Sequence, residues 1–144
     1  VLQAVVLTEG EKMLLTPTYH VMKMYNVHQD AQLLPLKFDS PTYDFEGEKL
    51  PAISASASKN KDGEVHVSLV NIDAHKKHSV SLNLEPFGAK EVTGTILTSK
   101  DLQDHNSFEA PETITPKEMK SIKIKKGVAE IELPPFSVLV LKAE

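Results

Sequence analysis

Residues 51–69 read PAISASASKNKDGEVHVSL, and this stretch predicts the fold of the chain. Apolar side chains alternate with serines in residues 53–58, which is the period-two pattern of a half-buried strand. The polar turn that follows ends in Gly63, which supplies the positive φ that a tight connection needs. Residues 65–69 then alternate in the same way, so the two runs are expected to pair as a half-buried β-hairpin.

Similar runs continue towards the C-terminus. Alternation recurs in residues 79–84 and 92–96, and a polar break occupies residues 99–118. Residues 122–133 read as a strand that turns at a Lys-Gly pair and returns as a second strand. The last run, FSVLVL at residues 136–141, is continuously apolar and is expected to be buried on both faces. Seven or more short strands predict a mainly β fold, a β-sandwich or a jelly roll.

The N-terminal thirty residues carry a different pattern. Val1–Leu7 and Met13–Leu15 are strand-like, and a helix is expected in the run TPTYHVMKMYNVHQD at residues 16–30. Thr16 is a favourable N-cap and Pro17 a favourable first helical residue, since that position needs no backbone donor. Apolar side chains lie on more than one side of this helix: Tyr19, Val21, Met22, Met24, Tyr25 and Val27.

A helix that is apolar nearly all round is usually a buried helix. Because the remaining residues predict β-structure with its own core, the partner of the helix is expected outside this chain. The predicted division is therefore residues 1–32 and residues 33–144, with the boundary where the helical pattern gives way to strands.

The composition argues against several classes of function. The chain has no Cys, no Arg and no Trp, and its net charge is −4. Without Cys there is no disulfide framework and no Cys-based zinc site. The missing Arg and the negative charge argue against a nucleic-acid partner. The missing Trp removes the best stacking surface for a flat ligand.

Localisation is read from the same composition. No run approaches the roughly 18 apolar residues that a membrane helix needs, so no membrane partner is predicted. Val1–Leu7 lacks the basic start and the cleavage site of a signal peptide. The cytoplasm is favoured, and export stays open because the chain reads as a piece of a longer protein.

Two histidine pairs resemble metal sites but have simpler interpretations. His75 and His78 flank a polar turn between strands with no third ligand nearby, which favours a solvated turn. His20 and His28 lie eight residues apart on the helix without an HExxH pattern. We interpret them as packing or interface histidines.

Carboxylates also cluster in two places. The loop at residues 101–109 holds Asp101, Asp104, His105, Asn106 and Glu109, which is an oxygen-rich set that calcium could use. It lacks the spacing and the glycine of an EF-hand loop, and Asx turns explain the same residues. Glu130 and Glu132 fall on the outward side of a strand, where charge pairs with Lys123 and Lys125 are expected. No catalytic, cofactor or metal residue is nominated.

Four segments carry a family resemblance: VLQAVVLTEGEKMLLTPTYHVMKMYNVHQDA at residues 1–31, LPAISASASKNKDGEVHVSLVNID at 50–73, DHNSFEAPETITP at 104–116 and LPPFSVLVLKAE at 133–144. Together they resemble the C-terminal part of α-L-arabinofuranosidases of glycoside hydrolase family 51. The LTPTYHV and HNSFEAP segments are its most specific parts.

The resemblance implies that residues 1–32 form the last portion of a (β/α)8 barrel and that residues 33–144 form a C-terminal, antiparallel β-sandwich of jelly-roll type. Members of the family release terminal α-L-arabinofuranosyl groups with retention, using two glutamates in earlier barrel strands. Neither glutamate has a counterpart here, so this chain alone is expected to be inactive. The implied partners are the missing barrel, an arabinose-containing oligo- or polysaccharide such as arabinoxylan or arabinan, and further copies in a homo-oligomer.

Tyr19, Met22 and Tyr25 on the helix and Phe108 in the loop are the residues expected at these interfaces. Two alternatives stay open. The sandwich is an independent carbohydrate-binding module in the first, against which the missing Trp speaks. In the second, the chain is a free-standing interaction protein whose apolar helix forms a homodimer, although no initiating Met precedes Val1.

Overall fold

The computed structural model describes residues 4–144, which form an antiparallel β fold with a single α-helix. The strand predicted at Val1–Leu7 therefore begins outside the described residues. The strands are β1 (Val6–Glu9), β2 (Lys12–Leu15), β3 (Gln32–Leu34), β4 (Thr42–Phe45), β5 (Glu48–Pro51), β6 (Ile53–Lys59), β7 (Val65–Asn71), β8 (His78–Asn83), β9 (Glu91–Leu97), β10 (Lys117–Glu118), β11 (Ile122–Lys123), β12 (Val128–Leu133) and β13 (Ser137–Ala143). None of the helices in the described residues has the length and apolar character to cross a membrane.

An N-terminal unit is formed by the β1–β2 hairpin, helix α1 (Pro17–Tyr25) and the 3₁₀ turn Asn26–His28. Thr16 caps the helix as predicted, since its Oγ1 accepts a hydrogen bond from the Tyr19 backbone N–H at 3.4 Å and donates one to the Val5 carbonyl at 2.8 Å. The helix is shorter than the predicted run to residue 30. It tightens into a 3₁₀ turn at Asn26–His28 and then becomes extended to enter β3.

The large sheet has the strand order β10-β9-β13-β7-β6-β3, and β11 also pairs with β9. The predicted hairpin is confirmed, because β6 and β7 pair in register from Ile53 opposite Asn71 to Lys59 opposite Val65. β13 lies between β7 and β9 and has buried side chains on both of its faces, as its continuous apolar run predicted.

A smaller sheet of β8 and β12 packs against the inner face of the large sheet. The first core lies between these layers and consists of Ala52, Ile53, Ala57, Val67, Leu69, Leu84, Val92, Ala129, Ile131, Leu133, Leu139 and Leu141. The mainly β, antiparallel sandwich class is therefore confirmed.

The strands at residues 122–133 differ from the expected pairing. β11 pairs with β9, whereas β12 pairs with β8, and a single bridge from Lys125 to Val128 connects the two runs. The chain changes sheets at this turn, because β12 supplies Ala129, Ile131 and Leu133 to the opposite side of the first core.

A short hairpin of β4 and β5 was not predicted as separate strands. Its connection is Glu46–Gly47, and both residues have a positive φ, 52° and 88°. Tyr43 of β4 packs against the first core. The signal was present in the alternation of Tyr43 and Phe45 before a glycine, but Pro41 and Pro51 obscured the strand ends.

Candidate functional site

Hydrogen bonds and apolar contacts between distant parts of the chain are found on the outer face of the large sheet. This is the face that bears Ser58, His66, Ser68 and Val140. The N-terminal unit and the loop at residues 99–116 cover this face. The half-buried character predicted for β7 was therefore wrong. His66 and Ser68 are buried because a second layer lies above them.

A second core fastens α1 to this face. It consists of Met24 from the helix, Leu97 and Val140 from the sheet and Ile114 from the loop. Tyr25 packs against this core, so one side of α1 has its partner within the chain. The expectation that the helix finds its partner only outside the chain was wrong for that side.

His28 forms a polar clamp at the end of the N-terminal unit. Its Nδ1 lies 2.7 Å from Ser58 Oγ and its Nε2 lies 2.5 Å from Ser68 Oγ. Burial, and secondarily the nearby His66, lower the pKa of His28 from its ordinary value. The neutral ring suits this position, because it donates to one hydroxyl and accepts from the other. The interpretation of His28 as a packing histidine agrees with this geometry.

Asn106 forms a second clamp, near the start of α1. Its Oδ1 accepts a hydrogen bond from the Ile114 backbone N–H at 2.7 Å, and its Nδ2 donates to the Ile114 carbonyl at 3.0 Å. The same Nδ2 donates to the Leu15 carbonyl at 2.9 Å. Asn106 is only 7% exposed. Sequence reasoning placed it among possible calcium ligands, whereas its polar atoms hold the loop closed and hold the loop to β2.

Two acidic residues of this loop, Asp101 and Asp104, are also engaged in turns. Asp104 accepts hydrogen bonds from Ser99 Oγ and from the Asp101 backbone N–H, and the Ser99 bond is the main cause of a lowered Asp104 pKa. Asp101 accepts from the Gln103 backbone N–H at 2.9 Å. This is the Asx-turn chemistry that favoured a structural interpretation. Within residues 4–144, no three His, Asp or Glu side chains come together as a metal site requires.

Glu130 and Glu132 are exposed on β12, as the alternation predicted, but their partners differ from the expected lysines. Glu132 pairs with Lys77 at 2.8 Å and Glu130 accepts from Ser81. Lys123 pairs instead with Glu91. The expected partners were wrong because β12 pairs with β8 rather than with β11.

The turn containing His75 and His78 is organised by Asp73. Burial by itself would raise the pKa of this carboxylate, but hydrogen bonds from the His75 and Lys76 backbone N–H groups and from His78 lower it. His78 Nε2 lies 3.2 Å from Asp73 Oδ2. These contacts stabilise a tight strand connection.

The four residues predicted at interfaces have different surroundings. Tyr25 is turned towards the second core, whereas Met22 is 57% exposed. Tyr19 is half-buried with its ring edge-on to His20, and Phe108 is half-buried in the loop. The structure also exposes Leu7 (40%) and Met13 (65%) on the β1–β2 hairpin, which sequence reasoning did not nominate. Their place in a strand-like apolar run gave no sign of this exposure.

A groove of about 810 Å³ lies beside α1, over the outer face of the large sheet. His20, Lys23 and Val27 line it from the N-terminal unit, and Thr95, Glu118 and Lys142 line it from the sheet. We call it the α1 groove. Lys142 is paired with Glu64 at 2.7 Å, and this contact is the main cause of a raised Lys142 pKa.

These features define an antiparallel β-sandwich domain whose larger sheet is covered by an N-terminal hairpin and helix. A family model, the α-L-arabinofuranosidase C-terminal domain, matches residues 1–137. The chain belongs to this family.

Known relatives agree with this assignment. The chain is 43% identical over 145 residues to an intracellular exo-α-L-arabinofuranosidase of Bacteroides ovatus, covering 100% of this chain and 28% of that protein. A crystal structure of the GH51 arabinofuranosidase of Xanthomonas axonopodis pv. citri superposes with a TM-score of 0.95 at 38% identity, over 100% of this chain and 29% of that one. The thermostable GH51 α-L-arabinofuranosidase of Thermotoga petrophila RKU-1 gives a TM-score of 0.83 at 25% identity, over 97% and 31%. The chain thus spans less than a third of these relatives.

Proposed function

We propose that this chain is the non-catalytic C-terminal part of a retaining, exo-acting α-L-arabinofuranosidase. The observation that carries the proposal is the end-to-end match of this chain to 28% of a relative named as an exo-α-L-arabinofuranosidase. Retention needs two carboxylates about 5–5.5 Å apart across the scissile bond. Glu130 and Glu132 do not fit that task, since they lie on an exposed strand and are engaged by Ser81 and Lys77. The catalytic pair belongs to the remainder of the enzyme.

The N-terminal unit is proposed to join the two parts of the enzyme. Residues 1–32 belong to the end of the barrel and residues 33–144 to the sandwich in this proposal. The unit is clamped to the sandwich by Asn106 at one end and by His28 at the other. Its exposed apolar side chains, Met13 and Met22, are left to contact the barrel. The sandwich therefore stabilises the barrel by holding its final helix.

The names of the relatives support a substrate that carries α-L-arabinofuranosyl groups. We propose that the intact enzyme releases terminal arabinofuranosyl groups from fragments of arabinan or arabinoxylan. The Bacteroides relative is named as intracellular, and polymers do not reach an intracellular enzyme. Short arabinose-capped oligosaccharides are therefore expected to be better substrates than the intact polysaccharides.

The proposal is tested with the complete polypeptide that carries this C-terminus and with the 144-residue chain alone. The complete polypeptide is expected to release arabinose from an aryl α-L-arabinofuranoside, and the 144-residue chain is expected to release none. The complete polypeptide should also show a higher kcat/KM on arabino-oligosaccharides than on arabinan. A complete polypeptide without activity on either type of substrate would overturn the proposal.

A further inference from the structure

Two dipeptides of the chain, Asp62–Gly63 and Asn106–Ser107, are of the kind whose backbone rearranges without an enzyme. In this reaction the backbone nitrogen of the second residue attacks the side-chain carbonyl carbon of the first. A bulky second residue shields its own nitrogen, whereas glycine, which has no Cβ, allows the closest approach. The sequence holds one Asp-Gly pair and no Asn-Gly pair. The structure separates the two candidates.

Asp62 lies at the tip of the β6–β7 hairpin, where its side chain is exposed. Its backbone N–H donates to Asn60 Oδ1 at 3.0 Å, but its carboxylate makes no hydrogen bond or ion pair with the described residues. The surroundings of Gly63 are also open, since a Cβ placed there would meet only Lys59 Cε, at 3.8 Å. No contact among the described residues therefore holds the Asp62 carboxylate away from the Gly63 nitrogen.

One hydrogen bond opposes the reaction, because the Gly63 N–H donates to the Asn60 carbonyl at 3.1 Å. The register pairs of β6 and β7 end at Lys59 opposite Val65, so this bond belongs to the turn and not to the strand ladder. Exposed turns open locally at little cost in free energy, unlike the strands that they join. The Gly63 nitrogen is therefore released without separating the two strands.

Asn106 is held in the opposite way. It is only 7% exposed, its Oδ1 accepts a hydrogen bond from the Ile114 N–H, and its Nδ2 donates to the carbonyls of Ile114 and Leu15. The Ser107 N–H donates to the Ala110 carbonyl at 3.2 Å. The Asn106 amide would have to leave these buried partners before it could meet the Ser107 nitrogen, so the clamp protects this site.

We propose that Asp62 is a site of spontaneous covalent modification, where aspartate converts to isoaspartate through a cyclic succinimide. The Gly63 nitrogen forms a bond to Asp62 Cγ, and the OH of the protonated carboxyl group leaves with the Gly63 N–H proton as water. A second water molecule then opens the ring. Cleavage of the new N–Cγ bond restores aspartate, whereas cleavage of the bond from the Gly63 nitrogen to the Asp62 main-chain carbonyl carbon gives isoaspartate. One water molecule leaves and one is taken up, so the mass is unchanged.

The product alters the turn. In isoaspartate the main chain runs through Cβ and Cγ, which lengthens it by one atom and leaves the α-carboxylate as the side chain. Asn60 Oδ1 accepts hydrogen bonds from the N–H groups of both Asp62 and Glu64, and these bonds depend on the original spacing. The modification is therefore expected to loosen the hairpin tip. It does not depend on the proposed function.

The test is prolonged incubation of the complete polypeptide in mildly acidic buffer made with heavy-oxygen water. Opening of the succinimide places one heavy oxygen atom at residue 62, and electron-transfer fragmentation of proteolytic peptides distinguishes isoaspartate from aspartate. Asp62→Glu is the variant, because glutamate would have to close a larger ring, which forms far more slowly. Asp39 is the internal control, since it is also exposed but precedes Ser40, which carries a Cβ.

Isoaspartate and heavy oxygen are expected to accumulate at residue 62 several-fold faster than at residues 39 and 106, and Asp62→Glu should remove the signal. A sample unfolded in urea serves as the positive control for the chemistry. Absence of isoaspartate at residue 62 of the folded protein would overturn the proposal, because the turn would then protect Asp62 as the clamp protects Asn106. Faster modification of Asp39 or Asn106 than of Asp62, or a signal that persists in Asp62→Glu, would also overturn it.

Discussion

Two polar side chains, the buried Asn106 and the half-buried His28, join elements that are far apart in sequence. Asn106 connects the loop to Leu15, 91 residues earlier, and His28 connects the N-terminal unit to Ser58 and Ser68. Each of these contacts satisfies backbone or hydroxyl groups that would otherwise be buried without partners. Their loss should therefore cost more than the loss of an exposed hydrogen bond.

Asn106→Ala is expected to lower the free energy of unfolding by about 3 kcal/mol, because it leaves buried backbone groups of Ile114 and Leu15 without partners. Urea unfolding measures the change. Asn83→Ala is the matched control, since Asn83 is exposed and its Oδ1 accepts only a local bond from the Glu85 backbone N–H. Equal losses in the two variants would contradict the clamp role of Asn106.

Gly94 in β9 is required for a close approach of two strands. A Cβ at this position would lie 2.3 Å from the Val140 carbonyl oxygen and 2.9 Å from the Leu141 Cα. Gly94→Ala is therefore expected to destabilise the fold by about 2–3 kcal/mol, measured as a lower urea midpoint. Gly88→Ala is the comparison, because a Cβ there meets nothing within 4 Å and the cost arises only from its positive φ. The prediction fails if Gly94→Ala costs less than Gly88→Ala.

At the level of elements, α1 has two sides with different surroundings. Met24 packs in the second core with Leu97, Ile114 and Val140, whereas Met22 is 57% exposed. The helix has nine residues, which is too short to be stable alone, so its contacts with the sheet hold it in place. The side bearing Met22 is the one available to the barrel in the proposed enzyme.

Met24→Ala and Met22→Ala separate these two sides. Met24→Ala is expected to destabilise the 144-residue chain by about 2–4 kcal/mol, since it removes a buried side chain, while Met22→Ala changes its stability by less than about 0.5 kcal/mol. In the complete enzyme, by contrast, Met22→Ala is expected to lower the melting temperature, because Met22 is proposed to contact the barrel. A Met22→Ala enzyme that melts like wild type would show that this side does not contact the barrel.

The contact between the N-terminal unit and the sheet should weaken in mild acid. Burial is the main cause of the lowered pKa values of His20, His28 and His66, and Lys23, Glu64 and Lys142 are the charged groups that further adjust them. A lowered histidine pKa means that the unfolded chain binds protons more readily, so stability falls as the pH drops through about 6.5. Glu64, Asp73 and Asp104 have lowered pKa values and add a separate loss below about pH 4.5.

Urea midpoints at pH 7.5 and 5.5 test the histidine effect. The midpoint is expected to fall at pH 5.5, and His28→Asn should reduce that fall because it removes one of the three groups. Ser58→Ala, which keeps the histidine but removes one hydroxyl partner, should lower the midpoint at both pH values. A midpoint that does not change between pH 7.5 and 5.5 would rule out the histidine effect.

For the whole molecule, the sandwich has a core between its two sheets, and the N-terminal unit is attached to the outer face of the large sheet. The first core joins the two sheets, and the smaller second core joins the unit to the outer face. Phe108 lies half-buried in the loop that closes over this face. We retain the prediction that this loop contacts the barrel or a neighbouring subunit of a homo-oligomer.

Phe108→Ala in the complete enzyme is therefore expected to lower its melting temperature by a few degrees or to shift its mass towards smaller assemblies in light scattering. Leu102→Ala is a suitable control, because Leu102 is in the same loop and is 64% exposed. Unchanged melting and unchanged mass in the Phe108 variant would remove this residue from the candidate interface.

Local patterns in the sequence determined the class of fold. Alternation predicted the β6–β7 hairpin and the core-facing side chains of β6, β7 and β12, and Thr16–Pro17 predicted the start of α1. These features follow from residues that are close in sequence. The family resemblance came from LTPTYHV and HNSFEAP. Only the tertiary structure decided which layer covers each face. Alternation says that one face is buried but does not identify the partner, so the burial of His66, the pairing of β12 with β8 and the clamp formed by Asn106 depended on contacts between residues distant in sequence.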